Sequence, residues 1–234
     1  MFDEGLIRAR RRLHEIVSGH GSVAQSRAAD RLFAGDYSTS VTVATEFAGS
    51  RLGLGVMHDL EGEVVSRHGV TWRIPVDGRP VRVGPNEGMA FAMAAHGGRR
   101  HELGLPSGTN FAGVAGAVDR YLADTDHDHA QVVCALEIAG QFDEVVLRTV
   151  APPEYQGEPL AEVIDHERRF TFSTWHGSMV GFRFPDAVDG TRIPGLHLHG
   201  ISTDESSGGH VRSFIASSVT AFVWVDEVQS PGES

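Results

Sequence analysis

The stretch Leu196-His197-Leu198-His199-Gly200-Ile201-Ser202-Thr203-Asp204-Glu205-Ser206-Ser207-Gly208-Gly209-His210 decides how this chain is read. His197 and His199 are two residues apart, so on a β-strand both imidazoles point to one face. A Ser/Asp/Gly-rich turn follows, and His210 then opens the apolar run Val211 to Ile215. A hairpin here returns His210 to the side of the first pair. Three imidazoles around one point, with a fourth position open, is how proteins hold a catalytic zinc ion. The competing reading is a His-rich surface hairpin, which a chain with 13 histidines also admits.

Outward from this hairpin the pattern is mostly strand. Residues 2 to about 34 have apolar faces compatible with helix, interrupted at Gly19-His20-Gly21-Ser22 and closed by Gly35-Asp36-Tyr37-Ser38. Thr42 to Phe47 predicts a short helix stopped by Gly49. Strand patterns follow at Leu54 to Met57, Leu60 to Val65 and Val70 to Ile74. The Asp77-Gly78 turn signal lets Val81 to Val83 pair back, and Phe91 to Ala95 continues the sheet. Phe111 to Leu122 predicts a helix with small residues on one side. Asp124 to His129 carries metal-ligating residue types but sits between a helix end and the strand Gln131 to Ile138, so it reads as a polar loop. Further strands are expected at Phe142 to Val150, Arg169 to Phe172, Gly177 to Phe184 and Gly195 to Ile201, with a short helix around Pro159 to His166. The fold class expected is α/β (α+β): two similar β-rich lobes with short helices. Residues 1–30 form an N-terminal helical extension in this reading, 31–130 an α/β lobe, and 131–234 a β-rich lobe carrying the histidines.

Composition narrows the function. With 234 residues and 41% hydrophobic content the chain can bury a substantial core. Its net charge of −11 offers no basic face to displace counterions, which argues against nucleic-acid binding. Arg8 to Arg12 is the one dense basic stretch and reads as a solvated helix face. Without an apolar stretch long enough for a signal peptide or membrane span, a cytoplasmic protein with no membrane partner is expected. The lone cysteine, Cys134, lies in the apolar run Val132 to Leu136 and reads as a buried strand residue. All 20 basic residues are arginine, so Schiff-base chemistry on lysine is excluded. A carbonyl activated here must draw on a metal or an arginine.

Several segments together resemble the alpha-acetolactate decarboxylase family, in order and spacing from about Arg31 to Phe214. They are Leu32-Phe33-Ala34-Gly35-Asp36-Tyr37, Leu52-Gly53-Leu54-Gly55, Leu60-Glu61-Gly62-Glu63, Arg148-Thr149-Val150-Ala151-Pro152, Met179 to Pro185, and the histidine run ending Gly208-Gly209-His210-Val211. The resemblance implies a two-lobed fold with mixed sheets, a zinc ion on His197, His199 and His210, and a homodimer. It implies decarboxylation of (S)-2-acetolactate to acetoin, with no organic cofactor. The active-site arginine falls on Arg148 and the glutamate of the Leu-Asp-Gly-Glu motif on Glu63.

The residue types suit that chemistry. Loss of CO₂ beside a carbonyl leaves an enediolate, which a Lewis-acidic metal and a fixed arginine stabilise. A carboxylic acid then delivers a proton to one face. Two departures stand out. Val56 occupies a place where many members carry threonine, and the family's second, C-terminal glutamate has no aligned counterpart, Asp226 and Glu227 being the substitutes at hand. These departures leave open a divergent relative acting on another 2-hydroxy-3-keto acid or enolisable carbonyl, with a pocket more open on its C-terminal side. A non-enzymatic metal- or acid-binding relative is the third reading, against which Arg148 and Glu63 argue, since a metal-stapled scaffold needs neither.

Overall fold

The computed structural model describes residues 23–25, 29–125, 132–184 and 195–225. His127, His129, Asp226 and Glu227 lie outside the described residues. Two antiparallel sheets pack face to face, with short helices at their margins.

The first sheet holds β1 (Val23–Gln25), β2 (Val41–Thr42), β3 (Leu52–Met57), β4 (Glu63–Arg67), β5 (Val70–Ile74), β6 (Val81–Arg82) and β7 (Gly88–Ala95). Its order is β1-β7-β3-β4-β5-β6, with β2 also paired to β7. Alternation along β3 to β5 separates two faces. Leu52, Leu54, Val65, Trp72 and Ile74 turn towards the second sheet and join Ala135, Val180, Phe182, Ile201 and Trp224 in one core between the sheets. The opposite face buries Val64, Ala92 and Ala94 beneath helix α2 (Val43–Phe47). A Cβ on Gly53 would lie 2.8 Å from Phe47 Cδ1, so glycine is what lets that helix sit against the strand. Thr42 caps α2 by accepting from the Thr45 amide.

The second sheet holds β8 (Arg99–Leu103), β9 (Cys134–Thr149), β10 (Arg168–Phe172), β11 (Trp175–Arg183), β12 (Leu196–Ser202) and β13 (Gly208–Val225). Its order is β10-β9-β11-β12-β13-β8, and a further ladder between β9 and β13 closes β9, β11, β12 and β13 into a ring. The outer face of this ring is covered by helix α3 (Phe111–Asp124), whose Val114, Val118 and Leu122 recur at helical spacing and are fully buried. Two shorter helices, α1 (Ala29–Phe33) and α4 (Leu160–Asp165), bury Leu32 and Val163 with Val56 and Tyr37 at the end of the first sheet. Each fully buried aliphatic side chain contributes about 1.5–3 kcal/mol.

The α+β class, the short helices and the strands of the histidine hairpin are as the sequence predicts. Four details differ. Every described ladder is antiparallel, whereas the resemblance implied mixed sheets; short connections between successive strands favour antiparallel pairing. Of the helix expected over residues 2–34, the described part contains a strand, β1, and only the five-residue α1, because β7 offers β1 a sheet edge. The two strands expected around 131–138 and 142–150 are one, since Gly140 pairs with both Gly177 and Val219 and the ladder runs through it. Finally β8, whose Arg99-Arg100-His101-Glu102 hides any strand pattern, pairs with β13, so residues 99–124 join the second sheet and its core.

Candidate metal centre

Pairing within the ring sets the histidines. His197 and His199 alternate on one face of β12, and His199 stands directly opposite His210 on β13. His210 in turn stands opposite Arg148 on β9, and Arg148 opposite Arg169 on β10. Val180, His199, His210, Arg148 and Arg169 thus form one transverse row across five strands. Gly209 makes the approach of β13 to β9 possible: its φ is +147°, and a Cβ there would lie 2.6 Å from the Arg148 carbonyl oxygen.

One ligand atom from each of His197, His199 and His210 lies within 4.8 Å of the others, a group that could hold a metal ion. His199 Nδ1 donates to the Val64 carbonyl at 2.8 Å, which leaves Nε2 with its lone pair. That Nε2 lies 3.1 Å from His197 Nε2. Among the described residues His210 Nδ1 is buried without a hydrogen-bond partner. Burial holds the His199 imidazole below its usual pKa, partly offset by Glu63 and by the Val64 carbonyl. Burial first, then Arg148 and the neighbouring imidazoles, holds His210 well below it. Neutral rings with lone pairs crowded about one point, and an orphaned buried nitrogen beside them, fit a divalent cation with a preference for nitrogen ligands.

The first sheet contributes the carboxylate. Glu63 opens β4, its Oε2 lying 3.4 Å from His199 Nε2 and its Oε1 accepting from Arg148 Nη1 at 3.1 Å. Both partners are nearly buried, with side-chain exposures of 7% and 11%. Thus the five residues expected at the site, His197, His199, His210, Arg148 and Glu63, come together. Val56 stands directly opposite Glu63 on β3 and is buried.

Two further residues were not expected. Glu167, just before β10, is buried among three arginines: its Oε1 lies 2.5 Å from Arg169 Nε and 3.8 Å from Arg212 Nε, and its Oε2 lies 3.4 Å from Arg148 Nε. Arg148 therefore sits between two carboxylates. Arg212 lies two residues beyond His210 and lines a cleft of about 450 Å³ together with His210, Asn110, Phe111 and Leu196. Neither residue stands in a motif; the only hint of Glu167 is its place before Arg168-Arg169.

Two antiparallel sheets enclosing three histidines, a carboxylate and an arginine define a small-molecule site suited to a metal ion and an anionic substrate. The chain belongs to the alpha-acetolactate decarboxylase family, whose profile matches residues 23–229. It is 29% identical over 201 residues to the alpha-acetolactate decarboxylase of Methylococcus capsulatus, covering 86% of this chain and 75% of that protein. The enzyme of the same name from Klebsiella aerogenes is 25% identical over 192 residues, covering 82% and 72%. The fold matches the crystal structure of alpha-acetolactate decarboxylase from Bacillus subtilis strain 168 with a TM-score of 0.77, over 88% of this chain and 86% of that one, at 22% identity. Among the described residues no helix is long and apolar enough to cross a membrane.

Proposed function

We propose that the chain decarboxylates (S)-2-acetolactate to acetoin and CO₂ at a zinc ion held by His197, His199 and His210. The observation that carries this reading is the meeting of the histidine group with the Glu63–Arg148 pair from the facing sheet. When bound, zinc supplies Lewis acidity towards the substrate's hydroxyl and keto oxygens. Arg148 offers a fixed planar cation, first to the substrate carboxylate and then to the charge that develops as the C–C bond breaks and CO₂ leaves. Glu63, held from two sides, hands a proton to one face of the enediolate carbon and regains one from water, which sets product chirality. The working form in this reading is a cytoplasmic homodimer, which light scattering on the purified protein checks.

The deciding experiment follows CO₂ and acetoin from acetolactate with native protein, after chelation, and after zinc is restored. Turnover that disappears and returns supports the proposal. Undiminished turnover by fully stripped protein would sink it.

One observation favours a second reading. The apolar Val56 beside Glu63 suits a bulkier 2-hydroxy-3-keto acid. Comparing acetolactate with its ethyl homologue separates the two, since strong preference for acetolactate at high turnover refutes the bulkier substrate.

A further inference from the structure

The ladder between β13 and β9 slips by one residue just past the third histidine. His210 and Val211 pair with Arg148 and Leu147, yet Val146 pairs with Ser213, so Arg212 is the extra residue of a β-bulge. A bulge interrupts the alternation of faces and re-aims the side chain it carries. Arg212 is aimed into the cleft beside His210, where the other lining groups are largely apolar or amide in character: Phe111, Leu196 and Asn110. Its side chain is 46% exposed, and its Nε reaches Glu167 Oε1 only at 3.8 Å, an ion pair without hydrogen-bond length. The nearer claim on that oxygen belongs to Arg169, at 2.5 Å. Arg212 therefore retains donors at the mouth of the cleft. In a chain with a net charge of −11, an anion entering this cleft meets local positive charge from Arg148, Arg169 and Arg212.

We propose that Arg212 is a substrate-selecting residue: placed by the bulge at the cleft mouth, it recognises the carboxylate of an incoming 2-hydroxy acid and favours the anion over uncharged analogues. This rests on the reading of the histidine site as one for a hydroxy acid. Arg212 does not touch the reacting atoms in this account; it acts on capture.

The test measures binding rather than turnover, with zinc-loaded full-length protein titrated in NMR with 2-hydroxy-2-methylpropanoate and with the corresponding amide. These probes carry the substrate's hydroxy acid end, or its neutral counterpart, and lack the keto group needed for decarboxylation. Arg212→Gln should weaken the acid by roughly fivefold and leave the amide unchanged, as expected of a partly screened pair. Arg212→Lys should recover part of the loss, and in 1 M salt the difference between native protein and Arg212→Gln should close. Equal weakening of acid and amide would assign Arg212 to structure and overturn the proposal, as would an acid affinity that Arg212→Gln leaves unchanged. Native protein that binds the acid through Arg212 but releases no CO₂ from acetolactate would refute the proposed reaction while supporting the selecting role.

Discussion

Replacing Arg148 by lysine tests the site most directly. Arg148 reaches Glu63 with Nη1 at 3.1 Å and Glu167 with Nε at 3.4 Å, from a side chain only 11% exposed. A lysine ammonium is a single point and can face one of these carboxylates, not both. Glu167 keeps Arg169 at 2.5 Å, so the fold does not lose its last counter-charge there. The stability cost should accordingly fall near the low end for a lost charged hydrogen bond, about 1 kcal/mol. In a chain of this size that lowers Tm by roughly 2–4 °C. Turnover should suffer far more. Loss of an aligned donor to developing charge typically costs about 2.7–4 kcal/mol, or roughly a hundred- to a thousandfold. Purified Arg148→Lys should therefore melt slightly early, carry full metal, and turn over acetolactate at about 1% of the native rate or less. A rate within a few fold of native, with metal and Tm unchanged, would show that the two-point contact does not serve the reaction.

His199→Ala should lose stoichiometric metal by elemental analysis, because it removes the imidazole whose Nδ1 is fixed by Val64; full retention of zinc would refute the ligand assignment. Glu63→Gln should keep zinc and bind substrate while turnover collapses, since the amide preserves shape but has no acid proton; turnover near native would move the proton-transfer role elsewhere. The buried Tyr37 phenol donates to the Glu158 carbonyl at 2.7 Å, and burial pushes its pKa up to about 12. A group whose folded pKa is raised above the unfolded value of about 10 stabilises fully below that pH and loses its contribution as pH rises through the folded value. The urea midpoint should therefore fall between about pH 10 and 12, less so in Tyr37→Phe, and a pH-independent midpoint there would contradict the burial argument.

The histidine hairpin was legible because its information is local. Period-two spacing, a Gly-Gly turn and one apolar run determine which face each imidazole takes, and His199 and His210 are register partners. The pairing of Val81 and Arg82 with β5 and the helix capped by Thr42 followed from equally local signals. Motif resemblance, not spacing, brought in Glu63 and Arg148, which reach the site from the facing sheet and from a strand far along the chain. Glu167 and Arg212 escaped because their roles arise only after pairing: one is buried by the arginines gathered around it, the other is turned by a one-residue slip between two strands. Nothing in the identity of a charged residue announces either event. Strand β8 was missed because its charged residues pair at the margin of a sheet, where exposure removes the apolar alternation.

All three metal ligands lie in one hairpin, whereas Glu63 and Arg148 must be delivered by long-range closure of two sheets. These two kinds of contact have different timescales: hairpins form in about 1–10 μs, while distant strand pairing carries the loop-closure entropy of the intervening chain. Ion capture and chemical competence are therefore separable stages in the life of the molecule. On gentle heating, the sheets can part while the hairpin still grips its metal, giving a loaded but inert species. Activity should vanish at a lower temperature than that at which a chromogenic chelator first detects free zinc; simultaneous loss would mean that the ion depends on the whole fold.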